Sequence, residues 1–239
     1  MKPAAAGQPE YVAGTTIWFE NDVPDTDREG IRAGLTAIRS YLGDSMAGPN
    51  PSDVCIDVRA TSAGPVGSAR TEDRTILVFT SPDGWPETPS WRVSLLIAHE
   101  YVHAWQAAAG GTQYSSCALW LIEGMADWVA ARALVNAGLV PATAVLSSGS
   151  MADGPFVPDL SLLETPEGWN QTLAPYPVAR QAVELLMAGQ KPGTLAVYLA
   201  SLAAGMTWQS AFRQVFGRSP TDFYRVFDAS LTPPQTPAR

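Results

Sequence analysis

The sequence predicts an α+β fold: a strand, helix, strand, strand series fills the first 80 residues, and helices fill most of the rest. Three observations carry this. Short runs rich in β-branched and aromatic residues stand at Thr15–Glu20, Val54–Arg59 and Thr75–Thr80. Two long apolar stretches, 91–109 and 117–137, are each closed by glycine, at Gly110-Gly111 and at Gly138. From Tyr176 onward the apolar residues recur at helical period. We divide the chain into an N-terminal lobe, 11–137, and a mainly helical C-terminal lobe, 138–231, with disordered tails at 1–10 and 232–239.

Taken in order, Thr15-Thr-Ile-Trp-Phe-Glu20 is the first strand. Asp22 to Asp27 is a turn, and Thr26 or Asp27 caps a helix reaching Leu42, with Ile31, Leu35, Ile38 and Leu42 on one face. Loop follows from Gly43 to Asp53. The strands 54–59 and 75–80 are joined by a link rich in Gly and Ser. Ser90 can cap the next helix, on which Val93, Leu96, Ile97, Val102 and Trp105 recur as the apolar set. Residues 140–177 read as a long loop anchored by Leu160, Leu162 and Leu163. Helices then run through Val178–Leu186, Leu195–Ala204 and Trp208–Phe216. A last helix opens at Ser219-Pro220-Thr-Asp222, in the pattern of a cap, a first-turn proline and an acid three residues on.

With 239 residues the chain can enclose one good-sized core or two small lobes. Its net charge of −8, without a cluster of Lys or Arg, speaks against nucleic acid or an anionic membrane surface as partner. No apolar run approaches the ~20 residues of a membrane span. The N-terminus has no hydrophobic signal core, so the expected location is cytoplasmic if Met1 is the native start and secreted if a leader was removed. Cys55 and Cys117 can pair in an oxidising compartment or remain two buried thiols; neither has a ligand-like spacing. Oligomeric state is left open.

The chemistry concentrates at His99-Glu100-Tyr101-Val102-His103, which holds the only two histidines of the chain. Four residues apart on a helix, the two imidazoles share a face and can reach one metal ion. Glu100 is placed to act as general base toward a water. The following helix, 117–137, is apolar and rich in alanine, and its only acids are Glu123 and Asp127, again four apart. An acid in such a surface is costly to bury unless paired or bound to a metal. Glu123 therefore reads as the third ligand of a zinc site with an open fourth position. Asp127 reads as the acceptor for the free ring N–H of a ligand histidine. The alternatives are two core histidines on an amphipathic helix and two acids facing solvent.

His99-Glu100-x-x-His103, followed after nineteen residues by Glu123-Gly-Met-Ala-Asp127, resembles the gluzincin branch of the zincin metallopeptidases. The surrounding Trp120–Trp128 is similar to small bacterial peptidases of the MA-like group. The resemblance is specific over 75–130 and looser to about residue 230. It implies one Zn2+ per chain, a catalytic Glu100, and a zincin-like sheet packed on the metal-binding helix with the active-site cleft between two lobes. It also implies a peptide or protein substrate held along a sheet edge. The strand 75–80, directly before the loop at 81–86, is either that edge or an ordinary internal strand.

With no third histidine, an oxyanion donor must come from elsewhere. Tyr176 is the candidate, since it opens the first C-terminal helix where MA-like sequences also carry tyrosine. Arg180 follows one turn later. Both can equally be packing or solvated residues, and Tyr101 reads as packing. The expected function is a zinc-dependent peptidase. The alternatives are a zinc enzyme of the same fold acting on a non-peptide or modified substrate, and a non-catalytic binding module stabilised by zinc. Retention of Glu100 argues against the last, because a structural site needs no base.

Overall fold

A computed structural model describes residues 8–46, 51, 54–60, 68–72, 74–80, 91–147 and 159–231. Ser90, the loop at 81–86, the Pro-rich tail from 232 and the first seven residues lie outside these. The described chain is mixed α and β, with a sheet in the N-terminal part and a mostly helical remainder. It divides into two compact units, Met1–Ala109 with Val129–Val145, and Gly110–Trp128 with Leu146–Arg239.

In the first unit, β1 (Glu10–Val12), β2 (Thr15–Phe19), β3 (Cys55–Ala60), β4 (Ser68–Glu72) and β5 (Thr75–Thr80) form a five-stranded sheet in the order β1-β2-β3-β5-β4. The three central strands are parallel, Ile17 pairing with Ile56 and Ile56 with Ile76. The two outer strands are antiparallel to their neighbours. Alternation sends Ile17, Phe19, Ile56, Val58, Ile76 and Val78 to one buried face. The strand 75–80 is thus internal, and among the described residues the edges of the sheet are β1 and β4. The sequence hides β4 because Ser-Ala-Arg-Thr-Glu is polar, and an edge strand needs only one strand partner. Glu10, expected in a tail, opens β1 and is held by Arg32 through two hydrogen bonds of 2.8 Å.

The first helix, α1, spans Asp25–Ser45, longer at both ends than its apolar period shows. Pro24 occupies the cap position without a side-chain bond, so neither Thr26 nor Asp27 caps. Asp27 instead turns inward, 4% exposed, and accepts a hydrogen bond from Thr80 at the end of β5. Burial raises the pKa of its carboxyl above the ordinary aspartate value, with the Thr80 bond opposing the shift. The helix α2 (Trp91–Gly110) crosses α1 at Gly34. A Cβ there would stand 2.3 Å from Ser94 O and 2.6 Å from Ile97 Cγ2, so only glycine permits this approach. Ser94 Oγ seals the crossing by donating to Gly30 O at 2.8 Å. Arg39 Nη1 reaches Thr15 Oγ1 at 2.9 Å and Tyr101 Oη at 2.8 Å, tying α1 to β2 and to the middle of α2. Tyr101 is fully buried, in keeping with a packing role.

The second unit begins where α2 ends, at Gly110; a 3-10 turn over Gly111–Ser116 leads to α3 (Leu119–Asn136), which belongs to this unit as far as Trp128. The stretch expected as a long loop contains α4 (Ala142–Ser147), a 3-10 turn over Leu160–Glu164 and α5 (Pro166–Gln171). These pieces are one or two turns long, too short to show a period in sequence. Leu160 and Leu163 are buried anchors, but Leu162 is 53% exposed. Next come α6 (Pro175–Leu186), α7 (Thr194–Ala203), α8 (Trp208–Phe216) and α9 (Pro220–Leu231). Ser219 caps α9 as expected: its Oγ accepts from Asp222 N at 3.1 Å and donates to Asp222 Oδ2 at 2.6 Å.

This unit closes on aromatic rings. Trp120 stacks on Phe223 with centroids 5.6 Å apart and meets Phe212 and Tyr224 edge-on. Tyr224 Oη accepts from Trp120 Nε1 at 3.2 Å and donates to Glu164 Oε1 at 2.6 Å, so each polar tip in the cluster is satisfied. Both cysteines are free thiols, and Cys117 lies 3.4 Å from Tyr198 Oη. Among the described residues no helix is long and apolar enough to cross a membrane.

Candidate metal centre

The helix α2 buries Val93, Ile97, Ala98, Tyr101, Val102 and Trp105, which fixes its rotation. Its side at positions 99 and 103 then presents both imidazoles. Their rings stand edge to face, 4.7 Å between centroids and 83° between planes. The two Nε2 atoms lie 3.0 Å apart. Glu100, one residue on, is buried at 7% exposure, as is His99.

The helix α3 is apolar on nearly every side, burying Trp120, Leu121, Met125, Ala126, Val129 and Ala133. Glu123 and Asp127 are half-buried upon it. His99, His103 and Glu123 each offer one ligand atom, and these atoms all lie within 4.8 Å of one another. Two imidazole nitrogens bound to one zinc at about 2.0–2.1 Å are about 3.3 Å apart at the tetrahedral angle. The observed spacing of 3.0 Å is close to this. Two neutral imidazoles and a carboxylate are also the ligand chemistry of a hydrolytic zinc site. The donor set fits one divalent ion.

No family model matches the chain, and no curated protein sequence matches it. Among solved structures it is similar to an M1 zinc metallopeptidase from Deinococcus radiodurans, at 15% identity and a TM-score of 0.58 over 94% of this chain and 50% of that one. A mutant of that protein bound to a Tyr-ser-ala substrate aligns at 14% identity, with the same TM-score and coverage. An aminopeptidase N family protein from Idiomarina loihiensis aligns at 16% identity and a TM-score of 0.52, over 95% of this chain and 44% of that one. The chain shares the fold of these zinc metallopeptidases. It spans about half the length of the structures it matches.

Beside Glu123, Gly124 allows α3 and α6 to touch backbone to backbone. A Cβ at Gly124 would lie 2.3 Å from Ala179 O and 3.0 Å from Val183 Cγ2. The helix thus seated carries Tyr176 and Arg180. Tyr176 occupies its first turn, 45% exposed, with its ring edge-on to Trp169 at 4.9 Å between centroids. Trp128 Nε1 donates to Glu184 Oε2 at 2.6 Å, a second tie between α3 and α6.

One polar contact at the cluster escapes sequence reasoning. Gln106, wholly buried, places Oε1 at 2.9 Å from His103 Nδ1. The available signal is a lone amide three residues after the second histidine, within the apolar run Ala104-Trp105-Gln106-Ala107-Ala108-Ala109.

Proposed function

We propose that this protein is a zinc-dependent peptidase of the gluzincin type, with one Zn2+ held by His99, His103 and Glu123. The observation that carries the reading is the convergence of these three donors on a fold shared with zinc metallopeptidases. Bound there, zinc supplies Lewis acidity, lowering the pKa of a water toward about 7 and polarising a scissile carbonyl. Glu100, next to His99 and largely shielded from solvent, takes the proton of the attacking water and passes it to the leaving amine. Tyr176 donates its phenolic O–H to the oxyanion as it develops. Asp127 orients a ligand histidine. The edge strand β4, whose outer backbone groups have no strand partner among the described residues, holds an extended peptide.

Elemental analysis of purified protein and a peptide-library digest test this. One zinc per chain is expected, lost in His103→Ala and Glu123→Ala. Glu100→Gln keeps the zinc and loses peptide cleavage by about 10²- to 10⁴-fold, the scale of one general base. A wild-type protein that binds zinc but cleaves no peptide overturns the peptidase reading.

A further inference from the structure

Gln106 and His103 are three residues apart on α2 and so lie on one helix face. An amide oxygen can only accept a hydrogen bond. The proton in the 2.9 Å contact between Gln106 Oε1 and His103 Nδ1 therefore belongs to the ring. A neutral imidazole carries a single N–H, so Nε2 bears the lone pair, and Nε2 is the atom facing His99 Nε2 at 3.0 Å.

We infer that Gln106 is a positioning residue for the metal centre, holding His103 in its Nδ1–H tautomer and fixing the ring so that Nε2 serves as the ligand atom. The inference rests on reading His99, His103 and Glu123 as a metal site. The burial of Gln106 gives the contact weight, since a wholly buried amide left without its partner carries the full cost of its desolvation. A neutral amide also adds no charge: Glu123 remains the one anionic member of the three-donor set, whereas a carboxylate at position 106 would push a second negative charge toward the ion through the ring.

Metal-free, 15N-labelled protein tests this at alkaline pH, where imidazoles of ordinary pKa near 6.5 are neutral. With only two histidines in the chain, long-range proton–nitrogen spectra give both tautomers, and His99→Gln assigns them. His103 is expected as Nδ1–H in the wild type. In Gln106→Met, close in volume but without the amide acceptor, the ring should shift toward the Nε2–H form, and zinc affinity in a chelator competition should fall about 10- to 100-fold. Gln106→Glu restores an acceptor and should restore the Nδ1–H form. An Nε2–H ring in the wild type overturns the inference without need of any variant. Unchanged zinc affinity in a folded Gln106→Met overturns it as well, and leaves the zinc reading intact. A wild type that takes up no zinc defeats both, and the metal-free spectrum then separately reports whether the Gln106 contact exists.

Discussion

In the unit formed by Met1–Ala109 and Val129–Val145 the core encloses Asp27, Asp57, Thr80, Ser94, His99, Glu100 and Gln106 among its aliphatic residues. In the unit formed by Gly110–Trp128 and Leu146–Arg239, the described core is built from Trp120, Tyr198, Phe212, Phe223 and Phe227, with no carboxylate, imidazole or amide side chain fully buried. Buried polar groups are costly unless satisfied, so a chain retains them where packing alone does not decide the residue. The contrast assigns different duties. The first unit holds the described fully buried polar side chains, among them both members of the proposed His99–Glu100 pair. The second builds its core on rings; Glu123 lies half-buried within it and Tyr176 is exposed on its surface. Substitutions should therefore separate, those in the first unit altering metal, activity or pH response and those in the second altering stability.

Trp120→Ala should give the largest effect. It removes a fully buried ring in contact with Phe212, Phe223 and Tyr224, and should cost about 3–5 kcal/mol in denaturant unfolding. A loss below 1 kcal/mol would show that the aromatic cluster is not what holds the second unit.

Tyr176→Phe is the exception that sharpens the contrast, because the proposed oxyanion donor lies within the packing unit. It keeps the ring against Trp169 and removes only the hydroxyl. Steady-state kinetics should show kcat lower by about 10²-fold, equivalent to about 2.7 kcal/mol, with zinc content and Tm close to wild type. An unchanged kcat with a lower Tm would make the tyrosine structural, and Arg180 or a backbone N–H would be the donor to examine next.

Asp27→Asn probes the polar interior through pH. Burial raises the folded-state pKa of Asp27 above its unfolded value, so the native state holds the proton more tightly. Its contribution is fully present below the unfolded pKa and is lost as pH rises through the folded one. Asparagine keeps an acceptor for Thr80 and does not ionise. The variant should gain stability relative to wild type as pH rises from 4 toward neutrality, read from paired unfolding curves. A constant difference across that range would mean that the carboxyl is as well accommodated charged as neutral.

Glu10→Gln should have the smallest effect. The paired Arg32 guanidinium holds the Glu10 carboxyl below the usual range, so its stabilisation exists above the unfolded pKa and disappears as pH falls through the folded value. Both side chains are about one-third exposed, which limits the loss to roughly 1 kcal/mol or less, at neutral pH only. An equal loss at pH 2.5 would identify packing of β1, not charge, as its origin.

The parts of this molecule that can be read from sequence are those whose residues cannot easily serve otherwise. His99 and His103 are the only imidazoles, and helical spacing joins them; Glu123 is conspicuous as one of only two acids on a largely apolar α3. Long elements declare their periods, hence α1, α2 and α3. The strand β4 is hidden because Ser-Ala-Arg-Thr-Glu shows no apolar alternation, and with one strand partner among the described residues half of its backbone hydrogen bonding makes no demand on composition. The caps at Thr26 and Asp27 fail because Thr80, 53 positions from Asp27, captures the carboxylate, and local rules do not see such a partner. Gln106 is overlooked because a single amide on a helix ordinarily faces water; only its burial reveals the task.

The contact of Gly124 with Ala179 O has a further consequence. Two helices resting backbone on backbone have no side chain between them to act as a cushion, so at this bearing point α6 has little freedom to slide. Residue 124 adjoins Glu123, and residue 179 lies three after Tyr176. The contact thus works as a gauge block, setting the distance of the first turn of α6 from the Glu123 end of α3. Even a methyl group at 124 would wedge it wider. Damage from Gly124→Ala would then appear in turnover, where a displacement of about 1 Å can cost 10²-fold, while each participating side chain kept its identity.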